Sequence, residues 1–206
     1  LGSYKWSSSE TTLPANETKK EFDKKPVLER FDHQLKISGL KTFHTLKPDF
    51  SWGCSNIDKL ISKYNLSDYI LLFPFCSEHL QQKKWPYYDQ LIKLIKQNHP
   101  NLKIVIAPGP DEIEKAKKLD AVSILKEDKA ISISELAGLI KRSKFVVAND
   151  TGPAHMAAHL NVKGLSLFGS HTTAYKVSIE RENFKAIQVS DLKNLSAEKV
   201  FERLVL

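Results

Sequence analysis

The residues with the clearest chemical potential lie in the segment Asn149–Leu160, where an apolar run gives way to NDTGPAHMAAHL. The apolar run, Lys144–Ala148, is typical of a buried strand, and Pro153 with the small residues after it is typical of a helix start. Gly152 has no Cβ and so permits close approach to the backbone. Because the first N–H groups of a helix have no partner within it, this turn predicts a phosphate-binding site.

Side chains around the same turn can contribute to binding. Thr151 offers a hydroxyl donor, and His155 lies in the first helical turn, where its ring can reach the same anion. Asp150 would repel phosphate, so we expect it to accept hydrogen bonds from sugar hydroxyls. The alternative is an ordinary capped helix, with Asp150 or Thr151 as the N-cap and His155 at the surface.

A second junction follows the apolar run Tyr69–Phe75. A loop carrying Ser77 leads to the pair Lys83-Lys84, directly before a predicted helix. We assign Lys84 to the ligand, because a lysine there can pair with a phosphate as a point charge. An exposed lysine ahead of a helix is the alternative.

Two more junctions carry polar groups. Glu112 follows the run Lys103–Ala107, and a carboxylate after such a strand commonly binds ribose hydroxyls. Alternatively, Glu112 stabilises the dipole of the helix that follows. Gly169 ends the run Gly164–Phe168 and is followed by hydroxyl and imidazole side chains that would point to the same edge.

Histidines at helical spacing raise the alternative of a zinc site. His155 and His159 are four residues apart, and His171 could supply a third ligand. However, Met156 stands where the glutamate of a His-Glu-x-x-His motif would be. The sequence therefore favours a site with no metal.

From residue 57 onward, predicted strands and helices alternate, which indicates an α/β fold with a mainly parallel, doubly wound sheet. The carboxyl ends of the strands then form the ligand-binding edge. The predicted strands are Tyr69–Phe75, Lys103–Ala107, Val122–Leu125, Lys144–Ala148 and Gly164–Phe168. The predicted helices are Val27–Ile37, with Gly39 at its end, Pro86–Gln97, Asp111–Leu119, Ser134–Lys141 and Pro153–Leu160. Residues 1 to about 25 are predicted to be irregular, and Lys185–Val189 and Ala197–Val205 close the chain.

The 206 residues carry a formal net charge of +7, which favours anionic partners such as phosphates or an acidic membrane face. The basic residues are spread out and lack the aromatic signature of RNA-binding proteins, so nucleic acid is not an expected partner. No apolar run approaches the roughly 20 residues of a spanning helix. The two cysteines, Cys54 and Cys76, fit a reducing compartment.

Four motifs occur in an order and spacing that resemble glycosyltransferase family 9, the heptosyltransferases that extend the lipopolysaccharide inner core from ADP-heptose. They extend over roughly residues 69–189, and the third is the most specific. They are Lys84-Trp85-Pro86, Gly109-Pro110-Asp111-Glu112, the block from Asn149 to Ala158, and Leu167-Phe168-Gly169.

The resemblance implies a GT-B enzyme built from two Rossmann-like domains, of which this chain is the C-terminal half. Residues 46–206 would form the domain that binds the sugar nucleotide, and residues 1–45 would be the tail of the acceptor-binding domain with its linker. The catalytic carboxylate would lie in that other domain, so this chain would bind donor without transferring sugar to the lipopolysaccharide core. The resemblance implies inverting transfer without a cofactor; no Asp-x-Asp motif occurs, which disfavours a metal. The implied location is cytoplasmic, with a possible peripheral contact to the anionic inner membrane.

Some residues depart from the family pattern. Phe75 stands where glycine is usual, His159 replaces a usual alanine, and the rim after Gly169 reads Ser-His-Thr-Thr where Pro-Thr-x-Pro is common. The alternatives are another GT-B enzyme, such as a nucleotide-sugar epimerase, or a binding module without catalytic activity.

Overall fold

A computed structural model describes residues 12–206 as alternating strands and helices. The helices are α1 Lys19–Phe22, α2 Val27–Ile37, α3 Asp58–Lys63, α4 Tyr88–Asn98, α5 Ile113–Ala116, α6 Ile133–Arg142, α7 Gly152–His159 and α8 Ala197–Phe201. The strands are β1 Tyr69–Phe73, β2 Lys103–Ile106, β3 Val122–Ser123, β4 Phe145–Asn149, β5 Gly164–Phe168 and β6 Phe184–Gln188.

The six strands form one parallel sheet in the order β3-β2-β1-β4-β5-β6. Leu71 at the centre of β1 pairs with Val105 of β2 on one side and Val146 of β4 on the other. The chain direction across the sheet reverses between β1 and β4, and ligands of such sheets bind in the crevice at that reversal. The predicted doubly wound α/β fold is confirmed.

Both faces of the sheet are covered, which explains why its strands are continuous apolar runs. Successive side chains of β1 point to opposite faces. Leu71 and Phe73 pack in the core with α3, α6 and α7, whereas Ile70 and Leu72 pack in the core with α4, α5 and α8. Helix α7 approaches the sheet closely because its buried residues are all alanines.

Most predicted elements are present, with shifts at their ends. The helix expected over Asp111–Leu119 is divided into a 3₁₀ turn, Pro110–Glu112, and the short α5. The strand expected over Val122–Leu125 keeps only two residues, because this edge strand pairs with β2 alone. The helix expected from Pro86 begins at Tyr88. Helix α3 was not predicted.

The prediction of irregular structure up to about residue 25 is wrong for α1, and residues 1–11 of that stretch lie outside the described residues. Helix α1 begins with a capping box in which Thr18 and Glu21 bond to each other's backbone. Helix α2 ends at Ile37 with Ser38 as its C-cap, and the predicted Gly39 follows with a positive φ of 83°, which suits a residue without a Cβ. The start of α2 is joined to the loop after β5 by a bond from Val27 N–H to Lys176 O of 2.8 Å.

Large exposed apolar side chains concentrate between residues 31 and 52. They are Phe31, Ile37, Leu40, Phe43, Leu46 and Trp52. Among residues 12–206, no helix combines the length and apolar character required to cross a membrane.

Candidate functional site

A cavity of about 550 Å³ opens at the carboxyl ends of β1, β2 and β4. Its walls come from the loop after β1, the turn after β2, the start of α6 and the start of α7. Five of the predicted site residues line it: Ser77, Glu112, Thr151, Gly152 and Pro153. The topology therefore brings together residues that are up to 76 positions apart in the sequence.

The start of α7 is open toward this cavity. Thr151 occupies the N-cap position, but its side chain does not cap the helix; instead, its hydroxyl donates to Asn149 O at 3.3 Å. A Cβ added at Gly152 would meet no atom within 4 Å. The alternative of an ordinary side-chain-capped helix is thus not what the structure shows. Pro153 has no N–H, and the N–H groups of Ala154 and His155 donate to Thr151 O. The N–H groups of Thr151 and Gly152 are therefore the ones that an anion can approach.

Asp150 lies at the centre of a cluster of basic side chains next to the same helix start. It is only 3% exposed, and Lys83 Nζ lies 2.7 Å from its Oδ2. His171 Nε2 lies 3.0 Å from Oδ2, and His155 Nε2 lies 3.4 Å from Oδ1. Both carboxylate oxygens are therefore engaged by protein side chains.

The electrostatics of this cluster keep Asp150 ionised. Burial by itself raises the pKa of the carboxyl, but the contacts with His155, Lys83 and His171 outweigh it, so the pKa lies well below its usual range. One buried negative charge thus holds basic side chains at the entrance to α7, which suits the binding of an anion by the outer members of the cluster.

The two neighbouring lysines point to different places. Lys83 reaches Asp150, whereas the exposed Lys84 borders a separate cavity with Phe75 and Lys118. The sequence does not identify Lys83 as the inward lysine, because two adjacent lysines before a helix do not reveal which side chain points toward the sheet edge. The structure does not bring Lys84, the lysine assigned to the ligand from the sequence, to α7, and Lys83 takes its place in the proposal below.

The remaining predicted residues lie around the same edge. Glu112 accepts a hydrogen bond from Gly109 N–H at 2.8 Å, which fixes its carboxylate at the rim of the cavity. Ser77 is exposed and lines the same cavity. Gly169 is buried after β5, beside the His171 loop, and its carbonyl accepts from Gln188 Nε2 at 2.6 Å.

Comparison with known sequences identifies the family. Residues 3–203 match the model of glycosyltransferase family 9 (heptosyltransferase). The chain belongs to glycosyltransferase family 9. A curated relative, lipopolysaccharide heptosyltransferase 1 of Campylobacter coli, is 29% identical over 114 residues, which are 51% of this chain and 33% of the relative.

Solved structures agree with this assignment at the level of the fold. The E. coli heptosyltransferase WaaC with ADP superposes with a TM-score of 0.63 at 23% identity, over 84% of this chain and 54% of that one. The glycosyl transferase family 9 protein from Veillonella parvula superposes with a TM-score of 0.66 at 15% identity, over 93% of this chain and 61% of that one. The family 9 chain is therefore a Rossmann-like half of a GT-B fold, and it spans between 33% and 61% of the length of these relatives.

Asn149 is a residue of the family 9 chain whose role is not evident from the sequence. It is fully buried at the end of β4, and its Oδ1 accepts from the backbone N–H of Trp85 at 3.1 Å. Its Nδ2 lies 3.5 Å from Phe75 O. Asn149 thus ties the loop after β1 and the chain before α4 to the turn that starts α7.

Replacing Asn149 by alanine is expected to lower the free energy of unfolding by about 1–3 kcal/mol, because the buried N–H of Trp85 loses its acceptor. Urea denaturation measures this. Asn98→Ala is the matched control. Asn98 is exposed, and within the described residues its side chain bonds only to Leu94 O of its own helix, so the loss in this variant should stay within about 0.5 kcal/mol. Equal losses in the two variants would contradict a linking role for Asn149.

His159 does not join the other histidines, so the set considered for zinc is not assembled. His155 and His171 converge on Asp150, whereas His159 Nδ1 lies 3.3 Å from Arg181 Nη2. Among residues 12–206, no group of three or more His, Cys, Asp or Glu side chains is arranged to hold a metal ion.

The position of His159 predicts a pH dependence of stability. Burial, together with the nearby Arg181 guanidinium, lowers the pKa of His159 to about 4. In the unfolded chain the pKa is ~6.5, so between these values the unfolded state binds more protons than the folded state. The free energy of unfolding should therefore fall as the pH drops through this window. Denaturation at several pH values should show a shallower fall for His159→Gln than for the wild type. His79 is exposed, so His79→Gln is the control, and an equally steep fall in the two variants would contradict this account.

Proposed function

We propose that this chain is the donor-binding domain of a heptosyltransferase and that it binds the diphosphate of ADP-heptose, or of a similar sugar nucleotide, at the start of α7. The observation that carries the proposal is the meeting of an uncapped helix start with Lys83 and His155 at one edge of the sheet. Helix amides and basic side chains together form an anion site. The structure of the similar E. coli heptosyltransferase WaaC was solved with ADP.

The rest of the nucleotide fits the walls of the same cavity. We propose that Glu112 accepts hydrogen bonds from the ribose hydroxyls and that the hydroxyls of Ser77 and Thr151 donate hydrogen bonds to phosphate oxygens, since all three residues line the cavity. The Thr151 hydroxyl would turn from Asn149 O to the phosphate to do so. We also propose that Gly152 and Pro153 let the backbone approach the diphosphate, and that the sugar lies toward Gly169 and Asp150. Because both oxygens of Asp150 already have partners, a sugar hydroxyl would have to share them.

The proposed reaction is an inverting transfer without a metal ion. Negative charge develops on the departing diphosphate as the bond to the sugar breaks, and preorganised donors stabilise such charge. Lys83, His155 and the amides near Thr151 and Gly152 would supply that stabilisation. The base that activates the acceptor would come from the other domain, so this chain by itself would bind the donor and transfer nothing.

The domain division and the cellular setting are also proposals. We propose that residues 1–45 belong with an acceptor-binding domain and residues 46–206 with the donor domain. The exposed apolar side chains between residues 31 and 52 lie on both sides of this boundary and fit a contact with another protein unit, since such surfaces mark contacts between protein units. The acceptor would be the lipopolysaccharide core, reached from the cytoplasm. The net charge of +7 fits a peripheral contact with an anionic inner membrane.

A ligand screen tests the proposal. The melting temperature and calorimetric Kd are measured with ADP, UDP, GDP and their sugar derivatives, each in the presence of EDTA. A ligand at 100 times its Kd stabilises the folded state by about 2.7 kcal/mol. We expect this stabilisation from ADP and ADP-heptose. Stabilisation only by uridine nucleotides would favour an epimerase-like enzyme, and no binding of any nucleotide would refute the proposed function.

A further inference from the structure

His171 is a buried histidine in the loop after β5. Its side chain is 8% exposed, and its ring stacks on Phe168 with the ring centroids 6.0 Å apart and the planes inclined by 12°. Its Nε2 lies 3.0 Å from Asp150 Oδ2. The residue is thus held on one side by the strand end and on the other by the centre of the basic cluster.

The two ring nitrogens of His171 differ in their hydrogen bonds. An ionised carboxylate only accepts hydrogen bonds, so Nε2 carries a proton and donates it to Asp150. The other ring nitrogen, Nδ1, is buried and has no partner within the described part of the chain. Burying a polar atom without a partner is unfavourable, so the contact with Asp150 is the polar interaction that keeps the imidazole here.

The same carboxylate connects His171 to the proposed ligand site. Asp150 Oδ2 also accepts from Lys83 Nζ at 2.7 Å, and Oδ1 faces His155 Nε2 at 3.4 Å. Lys83 and His155 are 23% and 32% exposed, so they are the outer members of the cluster, whereas His171 and Asp150 are its buried members. A rotation of the Asp150 carboxylate would move its contacts with both outer groups.

We propose that His171 is a positioning residue: it fixes the orientation of the Asp150 carboxylate, which in turn places Lys83 and His155 at the start of α7. The effect on ligand binding rests on the proposed function, whereas the effect on Lys83 does not. Because the His171 side chain is only 8% exposed and its Nε2 contacts Asp150, its effect on the ligand would pass through that carboxylate.

Two substitutions separate this role from simple packing. His171→Phe keeps an aromatic ring on Phe168 but removes the donor to Asp150. His171→Gln keeps an N–H donor at about the distance of Nε2. If His171→Phe does not fold, His171→Asn gives the same contrast with His171→Gln, because its amide is too short to reach Asp150.

The first measurement needs no nucleotide. Brief acetylation followed by mass spectrometry gives the reactivity of Lys83 relative to Lys84, which is exposed and serves as an internal standard. We expect Lys83 to react more slowly than Lys84 in the wild type. His171→Phe should raise the relative reactivity of Lys83 about fivefold, as expected for loss of a hydrogen bond worth about 1 kcal/mol, and His171→Gln should restore it.

The second measurement is the calorimetric Kd for ADP. We expect His171→Phe to weaken binding about fivefold, His171→Gln to behave as the wild type, and His171→Phe to have no further effect when Asp150 is already asparagine. An unchanged Lys83 reactivity in His171→Phe, or no rescue by glutamine, would overturn the inference. A wild type that binds no ADP would refute the proposed function, while the reactivity of Lys83 would still decide the role of His171.

Discussion

Replacing Lys83 by glutamine is expected to weaken ADP binding by about 10- to 100-fold, since a hydrogen bond to a charged group is worth about 1.5–3 kcal/mol. Lys83 is the lysine that the fold turns toward α7, where it pairs with the buried Asp150. Glutamine can still donate to Asp150 but carries no charge for a diphosphate. Isothermal calorimetry at constant salt measures the change.

Lys84→Gln is the control, because it removes the same charge from the neighbouring residue. Lys84 borders a different cavity, so the variant should bind ADP about as tightly as the wild type. The outcome decides between the two lysines: a large loss in Lys84→Gln with none in Lys83→Gln would support the assignment made from the sequence. Melting temperatures show whether either variant has lost its fold, since breaking a buried ion pair also costs stability.

Gly152→Asp should abolish most nucleotide binding while the protein stays folded. An aspartate side chain at the first residue of α7 would place a carboxylate where we expect the diphosphate, and like charges at contact cost several kcal/mol, or about 100-fold or more in Kd. The fold tolerates the change because a Cβ at this position meets no atom within 4 Å. Helix α7 has no acidic residue in its first turn, where one is favourable.

Two further variants control for size and charge. Gly152→Ala adds only the Cβ and should weaken binding less than aspartate does. Gln90→Asp adds the same negative charge on the exposed side of α4, which packs on the other face of the sheet. If Gly152→Asp binds ADP as well as Gln90→Asp does, the start of α7 is not the diphosphate site.

The expected effects share one structural origin in the strand order. The chain adds strands toward one edge of the sheet from β1 to β3 and toward the other edge from β4 to β6. The loop after β1 and the start of α7 therefore diverge, and the cavity opens between them. Lys83 comes from the first of these segments, and Gly152 lies in the second. Asn149 connects them through its bond to Trp85. Binding and stability variants at this edge should therefore be measured together.

The sequence by itself determined the layers and the position of the candidate site. Apolar runs such as Tyr69–Phe75 specify strands covered on both faces, and the turn Asn149–Gly152 specifies a helix start that can receive an anion. These features depend on residues close together in the chain, so pattern and backbone chemistry suffice to predict them. The ends of short elements differ from the prediction. Strand β3 is shorter than predicted because it lies at the edge of the sheet and pairs only with β2 among the strands of the sheet.

Only the tertiary structure decided which side chains meet. Lys83 and Lys84 have the same chemistry and adjacent positions, and the fold alone turns Lys83 inward to Asp150. Likewise, His171 reaches Asp150 across 21 positions, and Asn149 reaches Trp85 across 64. Such contacts depend on side-chain direction and on the pairing of distant strands, neither of which is encoded in a local pattern. The sequence therefore predicted which edge of the sheet carries the candidate site, and the packing of β1, β4 and β5 determined the arrangement of charges along it.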